Sequence, residues 1–173
     1  MGFLRYILLI TVFVLHGCAT PIEVQSQREE RAQRLAAEIL TLSPEITLEE
    51  ARRFASAAVE ISAQLGQKYN VKLHPWLHNA SIHAGLRDRG FCYQYAEDLY
   101  LGLQEVSTEH LTLIYIEANK GKLNEHHALS LVLKGKAWDT GILLDAWRQN
   151  GNLYFAAVKT DSYPWKPEPL ASL

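Results

Sequence analysis

The spacing of apolar residues changes period once along this chain, and that change constrains the fold it can adopt. In the first part the apolar positions recur every three or four residues. Ala32, Leu35, Ala36 and Ile39 form one stripe, Ala51, Phe54, Ala58, Ile61 and Leu65 a second, and Cys92, Ala96, Leu99 and Leu103 a third. Each is the signature of an α-helix buried on one face. From Leu111 onward the period falls to two: Leu111, Leu113 and Tyr115 alternate with Thr112, Ile114 and Ile116, and residues 126–133, 142–147 and 153–158 read as three further strands. Helices followed by strands predict an α+β domain, with N-terminal helices and a cysteine-bearing helix packed on an antiparallel sheet.

Local signals mark the joints. Ser43-Pro44 ends the first helix, Thr47 and Glu50 stand in capping-box positions for the second, and Gly66 or Asn70 closes it. Residues 71–90 read as a loop. Asn150-Gly151 predicts a tight hairpin between the last two strands. Residues 28–173 are long enough for one domain with its own core, and the polar residues 18–27 read as a tether before it. The 17 Lys and Arg against 19 Asp and Glu leave a net charge of -2 with no basic run, which argues against nucleic acid as a partner.

The first residues belong to a different class. One positive charge, Arg5, precedes ten apolar residues, 6–15, too few to span a bilayer as a helix and fitting an export signal. Leu15-His16-Gly17-Cys18 then resembles the lipobox of bacterial lipoproteins, with an aliphatic residue three before the cysteine and a small one before it, although His16 stands where a small residue is usual. The resemblance implies that residues 1–17 are a signal peptide and that Cys18 is lipidated. Several acyl chains would then anchor the protein to a membrane, where a single chain binds only marginally. Ala19 after the cysteine, in that family, goes with the outer membrane, so the expected location is the cell envelope, facing the periplasm.

A lipidated Cys18 leaves Cys92, the only other cysteine, without a disulfide partner where thiols tend to be oxidised. Its place in the first turn of a helix favours thiolate over thiol, because unpaired N–H groups and the positive end of the dipole converge there. A nucleophile also needs a base and a group that orients the base. His126 and His127 open a strand, and Asp145 lies on the next. A two-residue loop at Gly135-Lys136 pairs Asp145 with His126, and a loop one residue longer pairs it with His127. Alternation groups His127 with Leu129, Leu131 and Leu133, and His126 with Ala128, Ser130 and Val132. One histidine should face the cysteine helix and the other should point away.

With Gly90-Phe91-Cys92-Tyr93-Gln94-Tyr95-Ala96 at a helix start, a histidine at a strand start and Asp145-Ala146-Trp147 at the end of the next strand, residues 85–165 resemble the transglutaminase-like branch of the papain-like cysteine peptidase superfamily. The resemblance implies Cys92 as nucleophile, His126 as general base and acid with His127 as the alternative, and Asp145 as orienter. The chain departs from the pattern in having no clear glutamine before Cys92 to bind the oxyanion, which leaves the Cys92 N–H and Asn79 as candidate donors. The implied activity is hydrolysis or acyl transfer at an amide or ester of a peptide, a protein side chain or peptidoglycan, with no cofactor. The alternative is an envelope lipoprotein that keeps the fold as a non-catalytic binding module.

Two other patterns are weaker. Asp139-Thr140-Gly141 spells an aspartic-protease tripeptide, but a single copy without an apolar run before it reads as a turn. His74, His78 and His83 could ligate a metal from one helix, but Pro75 and the polar surroundings make that segment a loop, so no metal is expected.

Overall fold

The computed structural model describes residues 23–69 and 90–169. The lipobox, most of the tether, and the 70–89 segment with Asn79 and the three histidines lie outside the described residues.

Helix α1, Gln25–Leu40, buries the stripe read from the sequence, Ala32, Leu35, Ala36 and Ile39. Residues 25–27, expected in the tether, form its first turn. The Gln27 side chain reaches back to accept the Val24 N–H at 3.1 Å, one of the donors a helix start leaves unpaired. Helix α2, Leu48–Tyr69, is capped as expected: Thr47 Oγ1 accepts the Glu50 N–H at 3.1 Å. Glu50 does not turn back to complete the box. It is buried and accepts the N–H groups of Glu109 and His110, at 2.8 and 3.0 Å, and meets His110 Nδ1 at 2.9 Å. The start of α2 is thereby fastened to the segment that leads into the sheet.

Gly66 lies inside α2 rather than at its end, for a packing reason. The 146–153 loop presses Gly151 against it, and a Cβ on Gly151 would come within 2.6 Å of the Gly66 Cα. Gly151 also sits at φ +92°, which favours glycine, and its carbonyl accepts the Ser62 hydroxyl at 2.8 Å. Helix α2 packs against α1 on one side and on the other against α3, Cys92–Gln104, which lies on the sheet. No helix among the described residues is long and apolar enough to cross a membrane.

The sheet has five strands, β1 Leu111–Ala118, β2 His126–Leu133, β3 Ile142–Asp145, β4 Tyr154–Ala157 and β5 Lys166–Pro167, in the order β4-β3-β2-β1-β5 with every pair antiparallel. Its two faces follow the period of two. Leu111, Tyr115, Leu129, Leu131, Ile142 and Leu144 join the helices in one core, whereas Ile116, Ala118, Ala128 and Leu143 join Val158 and Trp165 on the reverse side. The chain after β4 therefore crosses the reverse face to reach the opposite edge as β5. That strap was not legible as structure, since β5 is two residues long and one of them is proline.

The connections differ from expectation in two places. Between β2 and β3 the chain makes a 3-10 turn, Trp138–Thr140, confirming Asp139-Thr140-Gly141 as a turn. A Cβ on Gly141 would lie 2.3 Å from the Leu131 carbonyl, so only glycine fits. This connection is longer than either two or three residues, and the register pairs Leu129 with Leu144, which carries Asp145 opposite Ala128 rather than opposite a histidine. Asn150-Gly151 does not make a two-residue hairpin either. Asp145 Oδ1 accepts the N–H groups of Trp147 and Arg148, at 3.1 and 3.0 Å, and so starts a helical turn where the strand was expected to run on to Trp147. Asn150 and Gly151, both at positive φ, then end that turn, with the Gly151 N–H on the Ala146 carbonyl at 2.9 Å. They act as a helix C-cap does.

Candidate active site

Cys92 is the first residue of α3, so its N–H has no acceptor within the helix. The approach is set by Gly90, at φ 117°, and by Gln94, whose Oε1 accepts the N–H groups of Gly90 and Phe91 at 2.6 and 3.2 Å. Gln94 thus fixes the turn that presents the cysteine. The residue is 7% exposed, and Sγ lies 3.8 Å from the carbonyl oxygen of Glu125, immediately before β2. The thiol is therefore at the N-terminal end of the histidine strand.

Of the two histidines it is His126 that joins the aspartate. Its Nε2 lies 2.6 Å from Asp145 Oδ2, and both side chains are 1% exposed. The register explains the choice. Residues opposite one another in an antiparallel pair share a face, so Asp145, opposite Ala128, lies on the face of His126 and one step along the diagonal from it. His127 turns to the helix side, where Nε2 meets Glu125 Oε1 at 2.9 Å and the ring packs near Tyr93 and Tyr115.

His126 Nδ1 is buried and makes no hydrogen bond of good geometry, and the Cys92 thiol is the reactive group beside that ring. Burial alone would push the His126 pKa down. The charge of Asp145 and the hydrogen bond to it, with the hydrogen bonding and charge of Cys92, outweigh burial and raise it to about 9. Burial would likewise raise Asp145, but the charge and hydrogen bond of His126, and then Arg148, hold its carboxyl below the usual range. Trp147, Tyr163 and Trp165 surround the imidazole, with ring centroids 5.0, 4.9 and 5.4 Å away.

Two residues brace Asp145 from behind. Arg148 Nε donates to Asp145 Oδ2 at 3.0 Å, and its Nη1 donates to Asp161 Oδ2 at 2.7 Å. Asp161 also accepts the Trp165 indole N–H at 3.0 Å and the Tyr163 backbone N–H at 3.1 Å. It ties the aromatic strap to the arginine that braces Asp145. The signal available was the conjunction of Arg148 three residues after Asp145 with Asp161 just ahead of Tyr163 and Trp165, and it has no meaning until the strap is known to cross the sheet.

The arrangement brings Cys92, His126 and Asp145 to one end of the sheet and sets His127 apart. A thiol at a helix start, an imidazole beside it and a buried carboxylate on the Nε2 of that ring can together carry out nucleophilic acyl chemistry. No family model matches the chain, and no curated protein and no solved structure matches it.

Proposed function

We propose that the protein is a thiol hydrolase or acyltransferase of the transglutaminase-like kind, held in the cell envelope by a lipid on Cys18. The observation that carries this reading is the Asp145–His126 contact at 2.6 Å with Nδ1 of the same ring left for Cys92. Cys92 gives its proton to His126 Nδ1, which the raised pKa of that ring favours, and Sγ attacks the carbonyl carbon of an amide or ester. The oxyanion is met by the Cys92 N–H. When the tetrahedral intermediate collapses, the carbon–nitrogen or carbon–oxygen bond breaks, and the leaving amine or alcohol takes the proton from Nδ1. Water or a second amine then attacks the thioester as Nδ1 takes its proton, the carbon–sulfur bond breaks, and the proton returns to Cys92. Asp145 holds the proton on Nε2, so that Nδ1 is the nitrogen that exchanges a proton with Cys92, and stabilises the imidazolium.

The small exposure of Cys92 favours one other reading, a binding module that retains the fold and uses the cysteine as a core side chain. Iodoacetamide separates the two. In the native chain at pH 6.5 the peptide carrying Cys92 is expected to be alkylated about tenfold or more faster than the same peptide in urea. A thiol that reacts only after unfolding would leave the binding module.

A further inference from the structure

Beside the proposed nucleophile a groove of about 290 Å³ opens on the helix side of the sheet. Two of its wall residues adjoin the nucleophile: Tyr93 follows Cys92 in sequence, and the carbonyl oxygen of Glu125 lies 3.8 Å from Sγ. The lining is lopsided in charge. It contains the carboxylates of Glu97, Glu117, Glu125 and Glu168 against a single ammonium, Lys120. Lys120 is already committed, pairing with Glu117 and Glu168, and Glu125 is held by His127 and the Gly121 N–H. Among the described residues Glu97 has no ion-pair or hydrogen-bond partner.

Tyr115 adds an independent sign of a ligand. It is 7% exposed, lines the groove, and its hydroxyl has no hydrogen-bond partner among the described residues. Burial, and then the charges of Glu97 and Cys92, hold that phenol well above its ordinary pKa, so it remains a neutral hydroxyl. With no partner among the described residues, that hydroxyl offers the groove an acceptor that a ligand's N–H can use. The groove walls also focus negative potential. One carboxylate unpaired among the described residues, Glu97, beside one hydroxyl, Tyr115, suits an ammonium, which can donate to both.

We propose that this groove is the specificity subsite of the thiol centre and receives a positively charged group of the substrate, an ammonium such as a lysine side chain, next to the carbonyl that Cys92 attacks. The ammonium donates to Glu97 and to the Tyr115 hydroxyl. This rests on the reading of Cys92 as a nucleophile.

The test uses the full chain and three methanethiosulfonates that differ in charge: 2-aminoethyl, 2-sulfonatoethyl and methyl. Modification of Cys92 is followed by peptide mass. The aminoethyl reagent is expected to react about tenfold faster than the sulfonatoethyl reagent at low salt, the ratio shrinking to about twofold in 1 M NaCl. Glu97→Gln should cut the ratio about threefold and Glu97→Lys should abolish or reverse it. Tyr115→Phe should lower the aminoethyl rate relative to the methyl rate. If the methyl reagent modifies native Cys92 while cation and anion react alike, or if the preference survives both Glu97 variants, the subsite is wrong and the nucleophile stands. A Cys92 inert to all three until unfolded overturns both.

Discussion

His126→Ala is expected to lower the rate of Cys92 alkylation in the native chain by about a hundredfold or more, the usual range for loss of a positioned general base. His127→Ala should change it by no more than about threefold. The contrast follows from the face each ring occupies: His126 shares the buried end of the sheet with Asp145, while His127 bonds Glu125 on the helix side. His126→Gln serves as a second variant that keeps a polar group toward Asp145, with far-UV circular dichroism showing that each variant is folded. Equal losses for the two alanine variants would mean that the register argument has picked the wrong ring.

Asp145→Ala is expected to be the most destabilising single change at the site, costing about 3–5 kcal/mol in urea unfolding, the range for breaking a buried ion pair from one side. It strips the acceptor from His126 Nε2, from the backbone N–H groups of Trp147 and Arg148, and from Arg148 Nε. The same pair gives stability a definite pH dependence. His126 is raised from 6.5 to about 9 in the folded chain, so its contribution is fully present below pH 6.5 and is lost as pH rises through about 9. Asp145 is lowered, so its contribution is present above the ordinary carboxylate range and is lost in acid. Unfolding free energy should therefore be greatest between mildly acidic pH and 6.5, and should fall by something on the order of 3 kcal/mol toward pH 9. In Asp145→Asn the alkaline fall should largely vanish. A fall that persists unchanged in that variant would assign it to another group.

The residues that define α2, α3 and β2 were legible because each carries a strong local signal. Thr47 caps α2, a 3.6-residue stripe runs from Cys92 to Leu103, and a half-polar, half-apolar strand begins at His126. The triad was legible as a set of candidates for the same reason, since Cys92 and His126 each open an element. What could not be read is whatever depends on distant chain. The choice between His126 and His127 hung on the length of the 134–141 connection, and the 3-10 turn with Gly141 wedged against Leu131 is a tertiary outcome. Asn150-Gly151 misled because its backbone preference is for positive φ, which both a hairpin turn and a helix C-cap use. Asp145 decided between them by capping the turn that precedes it. Asp161 and the aromatic strap were missed because they act only after residues 158–165 cross the sheet.

The claim at the centre is that Cys92 forms an acyl intermediate with His126 as its base. Incubating the full chain with p-nitrophenyl acetate and mapping the adduct tests it most directly. One acetyl group is expected on the Cys92 peptide of the native protein, formed in a burst of p-nitrophenol, absent in Cys92→Ala and formed far more slowly in His126→Ala. An acetyl group spread over lysines with none on Cys92, or one that forms on Cys92 equally fast without His126, would contradict it.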